Sequence, residues 1–294
     1  MKKINIFKGI GVALVTPFLE SGDVDIDSLR TLVNGVLAEG VDFLCVLGTT
    51  AETPCLSSEE RKLVMEVVAE ENKGRIPLLL GCGGNDTREV CHFLRTTNLD
   101  AYQGVLIVTP YYNRPSQEGL FQHYKAIADA SPLPIVLYNV PTRTGVNLQP
   151  QTTLRIAETC NNVVAIKEAS GNLEQIDEIL KNAPLGFEVL SGDDSLTMEM
   201  IRMGAVGVIS VIGNASIHDF TNLVRFSINA DFPKAESLQE KLQDMYKLLA
   251  VDGNPSGIKA LLSEQGKIQN ILRLPLVPAR AETQKKIHQY LLNL

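Results

Sequence analysis

Residues 163–170 read Val-Val-Ala-Ile-Lys-Glu-Ala-Ser, so four apolar, strand-prone residues run straight into a lysine. A short, continuously apolar strand is buried on both faces. Burial disfavours the charged form of an amine, and a neutral amine attacks carbonyl carbon. Lys167 is therefore a candidate Schiff-base nucleophile. The competing reading is a structural lysine that snorkels out of the strand end or pairs with Glu168 or another acid.

Other chemistry-bearing residues also follow short apolar runs. Tyr138 ends the run at 134–138, and a phenol hydrogen-bonded to a hydroxyl or a second phenol can relay protons. Thr50 and one of Tyr111 and Tyr112 are the available partners; packed rim tyrosines with satisfied hydroxyls are the alternative. Gly48-Thr49-Thr50-Ala51-Glu52 places hydroxyls and backbone N–H groups beside a helix start, which suits a small carboxylate as well as it suits a capped turn. Arg143, in Pro-Thr-Arg-Thr-Gly, could clamp a second carboxylate or be a loop arginine at the surface.

The elements that must position these residues are legible as a repeat. Apolar runs at 11–16, 43–48, 76–81, 104–109, 134–138, 163–167, 187–191 and 207–211 give eight expected strands. They are spaced about 20–35 residues apart, as βα units require. Between them lie helical patterns: 25–37, with apolar residues at helical spacing; a capping box at Ser57 and Glu60; Ser116 ahead of 117–130; Pro150 near the start of a helix running to Cys160; and Asn172 ahead of 173–180. Eight alternating units predict an α/β fold of the (β/α)₈ TIM-barrel type. An open doubly wound sheet is the runner-up, but no G-x-G-x-x-G follows the first strand, and Gly81-Cys82-Gly83-Gly84 has the wrong spacing. After Asn229 the strand signal stops, and helices are expected at 233–250, 258–262 and 281–292. The expected organisation is a catalytic barrel at 1–229 with a C-terminal helical appendage at 230–294 packed on it.

Composition narrows the function classes. The 294 residues are 45% hydrophobic and 21% charged with a net charge of −7, an ordinary globular balance that argues against nucleic-acid or anionic-membrane partners. The first residues lack a long apolar stretch before Lys8, and the run at 12–15 is too short for a leader or a span, so a cytoplasmic protein is expected. Five cysteines without C-x-x-C and four histidines without metal-ligand spacing support neither a disulfide framework nor a metal site.

In a (β/α)₈ barrel all strand C-termini face one mouth, where the chemistry sits. That rule gathers Thr16, Gly48 to Thr50, Gly81, Thr109 to Tyr112, Tyr138 to Pro141, Lys167, Gly192 to Asp194 and Ser210 to Asn214. With these together, the chain resembles the dihydrodipicolinate synthase family of pyruvate-dependent lysine aldolases. The resemblance rests on Gly48-Thr49-Thr50, residues 108–115 (Val-Thr-Pro-Tyr-Tyr-Asn-Arg-Pro), residues 138–145 (Tyr-Asn-Val-Pro-Thr-Arg-Thr-Gly), Ile166-Lys167-Glu168-Ala169, residues 190–194 (Leu-Ser-Gly-Asp-Asp) and residues 207–211 (Gly-Val-Ile-Ser-Val).

The resemblance implies that pyruvate condenses with Lys167 to an imine whose enamine attacks aspartate-4-semialdehyde, in diaminopimelate and lysine biosynthesis. Tyr138 would relay protons, and Thr50 would link it to Tyr112, reaching in from a neighbouring subunit. Thr49, Thr50, Gly192 and Ile209 would surround pyruvate, and Arg143 would hold the aldehyde substrate's carboxylate. It further implies a homotetramer built as a dimer of dimers and, because the imine is the electron sink, no metal or organic cofactor. N-acetylneuraminate lyase and keto-deoxy-sugar-acid aldolases share the lysine, tyrosine and barrel, but Arg143 and the Tyr111–Tyr112 pair are closer to the synthase. A silent barrel acting as a binding subunit would have lost Lys167 or Tyr138, and both are present.

Two departures from the family pattern stand out. Ala51 and Thr53 flank Glu52 where a glycine and a small residue are usual, so a left-handed turn at Ala51 is not expected. Asn85, Glu89 and Tyr111 match the pattern of a lysine-effector pocket, but Ser58 and Arg61 stand where some lysine-sensitive members carry histidines. The sequence leaves lysine inhibition open.

Overall fold

The computed structural model describes residues 5–293; the first four residues, part of the leader reading above, lie outside them. Eight parallel strands close into one barrel in sequence order: β1 Gly9–Ala13, β2 Phe43–Val46, β3 Leu78–Gly81, β4 Gly104–Val108, β5 Ile135–Asn139, β6 Val163–Glu168, β7 Glu188–Ser191 and β8 Gly207–Ser210. Each expected apolar run overlaps one of them, with β1 starting two residues earlier and β5 and β6 each ending one residue later than the runs. Because successive strand residues point to opposite faces, each strand feeds two cores. Ile10, Val12, Leu44, Val46, Leu78, Leu80, Ile107, Leu137 and Ile166 pack outward against the helices. Phe7, Phe43, Cys45, Leu79, Val136, Tyr138, Ala165, Leu190 and Ile209 fill the barrel interior. Phe7 and Phe43 meet edge to face at 5.4 Å. Phe43 takes the space beside Gly11, where a Cβ would lie 2.2 Å from its ring.

Local sequence sets the helix starts. Ser57 accepts from Glu60 N while Glu60 returns a bond to Ser57 N, the reciprocal cap expected for helix Ser58–Asn72. Ser116 caps Gln117–Ala130, Asn172 caps Leu173–Asn182, and Pro150 occupies the first position of Pro150–Thr159. The C-terminal helices are Phe232–Val251, Ser256–Glu264 and Ala281–Leu292. They pack on the barrel helices and loops: Gln239 donates to the Ser195 carbonyl at 2.7 Å, and Gln265 to the Ala215 carbonyl at 3.1 Å. No described helix is long and apolar enough to cross a membrane.

Candidate active site

Tyr138 and Lys167 are register partners across β5 and β6, and both side chains point into the barrel. Lys167 is 5% exposed, so it does not snorkel to solvent. Its ammonium lies 4.4 Å from the centroid of the Tyr138 ring, a cation–π contact. It forms no ion pair or hydrogen bond with any described residue. The acid beside it in sequence points the other way. Glu168 faces outward from β6, fully buried, and accepts from Asn139 Nδ2 at 3.1 Å, Ser170 N at 2.7 Å and Gln175 Nε2 at 3.2 Å. Burial pushes its carboxyl up, and these donors oppose the shift. The reading of Lys167 as half of a structural ion pair is thereby removed.

The neighbours of Lys167 are small or apolar. A Cβ on Gly192 would meet Ala169 Cβ at 2.6 Å and Lys167 Cε at 3.1 Å, so only glycine leaves the lysine stem its place. Ile209 is 1% exposed in the same interior cluster as Tyr138. Burial pushes the Cys45 thiol up to about 11 against the opposing Lys167 charge, which keeps it a protonated, apolar filler. Asp194 ties the β7 exit to the β8 exit: its Oδ2 accepts from Val211 N at 3.0 Å and Ile212 N at 2.8 Å. Burial pushes that carboxyl up to about 6, with the two backbone donors opposing.

Thr49, Thr50 and Ala51 form a single 3₁₀ turn after β2. Ala51 stays right-handed, as expected, and the left-handed residues fall at Leu47 (φ 57) and Glu52 (φ 55). A left-handed non-glycine residue costs about 1–2 kcal/mol. At Glu52 the cost is met by tertiary bonds: its fully buried carboxylate pairs with Lys259 Nζ at 2.5 Å and accepts from Arg273 N at 3.0 Å. Thr50 is 2% exposed, and its Oγ1 accepts from Asn254 Nδ2 at 3.0 Å.

Thr49, Tyr138 and Arg143 line a cavity of about 690 Å³ together with Gly81, Val108 and Thr144. Lys167 is not among its walls; Tyr138 borders both. Arg143, on the short helix Pro141–Thr144, is exposed, and its Nη2 donates to the Asn254 carbonyl at 3.0 Å. The same cavity continues past Asn85, Glu89 and Tyr111 to Ser58, Arg61 and His92. Asn85 Nδ2 donates to the Tyr111 carbonyl at 3.2 Å. Tyr112 stands apart: it is 89% exposed, its backbone is left-handed (φ 73), and it makes no hydrogen bond to Thr50 or Tyr138 within the described protomer. Sequence reasoning thus picks out Tyr138 and Lys167, which lie side by side, Gly192 against the Lys167 stem, and Thr49 and Arg143 on one cavity with Tyr138, while Tyr112 lies apart from them. It misses Asn254, Lys259, Arg273 and the Glu168 network. Strand parity alone was a signal for Glu168, since the residue after an inward lysine must face out. No group of three or more His, Cys, Asp and Glu among the described residues could hold a metal ion.

A closed parallel barrel with a buried lysine at its catalytic mouth is the frame of a class I aldolase-type enzyme. The chain belongs to the dihydrodipicolinate synthetase family, whose sequence profile matches residues 6–294. It is 53% identical over 287 residues to a 4-hydroxy-tetrahydrodipicolinate synthase of Phocaeicola vulgatus, covering 98% of this chain and 97% of that one. The dihydrodipicolinate synthase of Thermotoga maritima superposes with a TM-score of 0.95 at 41% identity, covering 98% of this chain and 99% of that one. The Acinetobacter baumannii dihydrodipicolinate synthase, solved with pyruvate bound, superposes with a TM-score of 0.94 at 37% identity, covering 98% and 99%.

Proposed function

We propose that this enzyme condenses pyruvate with L-aspartate-4-semialdehyde to 4-hydroxy-tetrahydrodipicolinate, in the lysine and diaminopimelate pathway. The observation that carries it is the unpaired, buried Lys167 ammonium 4.4 Å from the ring of its register partner Tyr138. The names of the relatives and the pyruvate bound in the Acinetobacter enzyme support the substrate assignment.

The Lys167 amine adds to C2 of pyruvate, and the carbinolamine oxygen leaves as water to give the imine. Tyr138 supplies that proton and then helps take one from the pyruvate methyl group, leaving an enamine. The enamine carbon bonds to the aldehyde carbon of the second substrate, whose oxygen takes up a proton. The amino group of the second substrate then displaces Lys167 from the imine carbon, closing the ring and returning the free lysine. The imine is itself the electron sink, so no resident cofactor is proposed. Thr49, Thr50, Gly192 and Ile209 enclose the pyruvate end, and Arg143 holds the carboxylate of the aldehyde substrate in the shared cavity.

Thr50 links Tyr138 to Tyr112, which completes the relay from a second copy of the chain; its exposed ring and left-handed backbone suit a residue aimed away from its own protomer. This makes at least a dimer necessary, and we place the enzyme in the cytoplasm as a homotetramer. Asn85, Glu89 and Tyr111 form the candidate site for a lysine effector. Borohydride reduction in the presence of pyruvate, followed by peptide mapping, tests the reading. A three-carbon adduct on Lys167 is expected, and no adduct, or one on another residue, refutes it.

A further inference from the structure

Thr50 takes part in a bond that sets its polarity. Its Oγ1 accepts from Asn254 Nδ2 at 3.0 Å. An amide nitrogen only donates, so this bond uses a lone pair of the hydroxyl and leaves its single proton to be given elsewhere. The Asn254 side chain has no other hydrogen bond among the described residues, and its Oδ1 is buried without a partner. The main chain of the same residue reaches the other half of the site, because the Asn254 carbonyl accepts from Arg143 Nη2 at 3.0 Å. One residue of the C-terminal helical region therefore touches both the relay hydroxyl and the cation over the cavity. The segment that carries it is anchored: the helix Ser256–Glu264 begins two residues later, and its Lys259 is paired with Glu52, two residues from Thr50.

We propose that Asn254 is a positioning residue of this active site. Its amide holds Thr50 as an acceptor on one side, which leaves the Thr50 proton free for the relay to Tyr138, to which Thr50 makes no direct hydrogen bond within the described protomer. Its carbonyl independently sets the Arg143 guanidinium. The inference rests on the Tyr138–Thr50 relay proposed above.

The two functions separate by substitution in the full-length protein. In Asn254→Asp the carbonyl stays, but the side chain now only accepts and competes for the Thr50 proton. Condensation kcat should fall by about 30-fold or more, on the scale of a lost acid–base contribution, with KM for aspartate semialdehyde within about twofold and the melting temperature unchanged. Asn254→Ala should lose less, about tenfold, because Thr50 is freed rather than reversed. In a Thr50→Val background, Asn254→Asp should cost nothing further. An active parent whose Asn254→Asp variant keeps its kcat, or loses as much in the Thr50→Val background as in the parent, overturns this proposal alone. A parent that does not turn over pyruvate and aspartate semialdehyde overturns the functional reading and this inference with it.

Discussion

Glu52 and Lys259, far apart in sequence, form an ion pair of 2.5 Å in which both side chains are fully buried. Lys259 also lies 4.1 Å from the centroid of the Phe18 ring and donates to the Ile271 carbonyl at 2.9 Å. The pair thus joins the turn that carries Thr50 to the C-terminal helices. Burial pushes the Lys259 amine down to about 8, and Glu52 opposes that shift. Removing one member of such a pair leaves an uncompensated buried charge, which costs about 3–5 kcal/mol. Lys259→Met should therefore lower unfolding stability by about that amount in urea titration, and Glu52→Leu combined with Lys259→Met should recover most of it. A Lys259→Met protein as stable as its parent would show that the pair does not hold this junction.

A second junction is sensitive to acid. Arg273 binds Glu60 with both terminal guanidinium nitrogens, Nη1 meeting Oε2 at 2.6 Å. Arg273 pulls the Glu60 carboxyl from 4.5 down to about 2, against a smaller effect of burial. The folded state therefore binds fewer protons than the unfolded chain between these values, and stability from this pair is present above about 4.5 and lost as pH falls toward about 2. Glu60→Gln should cost about 1–3 kcal/mol at pH 7. That difference should shrink to nothing by the acid end of the window. Chemical denaturation of both proteins from pH 7 downward measures it, and a difference that does not depend on pH rules the linkage out.

Much of this was legible because it is local or periodic. The apolar runs give the barrel, and the barrel rule alone moves Lys167, Tyr138 and Gly192 to one mouth. The Ser57–Glu60 and Ser116 caps are read from residues three apart. What sequence could not supply is contact between distant segments. Asn254 falls in the gap between the helices expected at 233–250 and 258–262, yet its amide is bonded to Thr50 across 204 residues. Lys259 falls in the helix expected at 258–262 with nothing to single it out, yet it is fully buried. Glu168, adjacent to Lys167, reads as its ion-pair partner, but the alternation of strand faces turns the two side chains to opposite sides of β6.

Gly192→Ala tests how tightly the lysine stem is enclosed. Gly192 does not adopt a positive φ, so alanine fits the backbone, and the conflict is with Ala169 Cβ at 2.6 Å and Lys167 Cε at 3.1 Å. A shift of about 1 Å at a reacting group can cost about 100-fold in rate. The expected outcome is a 10- to 100-fold loss, on that same scale, in the rate of pyruvate trapping at Lys167, together with a loss of about 1–3 kcal/mol in stability from the contact with Ala169 Cβ. Trapping at the parent rate would mean that the lysine reaches its position without this support.

Glu168 braces the same pair from outside the barrel. It is the register partner of Asn139, one residue beyond the Tyr138–Lys167 partners, and Asn139 Nδ2 donates to both its carboxylate oxygens, at 3.2 and 3.1 Å. Asn139 also bonds Asn147 Oδ1 at 2.8 Å and accepts from Leu148 N at 2.9 Å, so the brace reaches the loop behind Arg143. In Glu168→Gln an amide donor replaces one acceptor and must face the donors of Asn139, Gln175 or Ser170. One buried donor then goes unmet, at about 1–3 kcal/mol. The outer face of β5 and β6 loosens where the inner face holds Tyr138 and Lys167. Stability should fall by that amount, and kcat should fall about tenfold with little change in either KM, because the loss lies in alignment rather than in substrate contacts. Initial rates with each substrate varied in turn, alongside urea unfolding, separate the two effects. A Glu168→Gln enzyme that loses stability but keeps its full kcat would limit Glu168 to holding the fold.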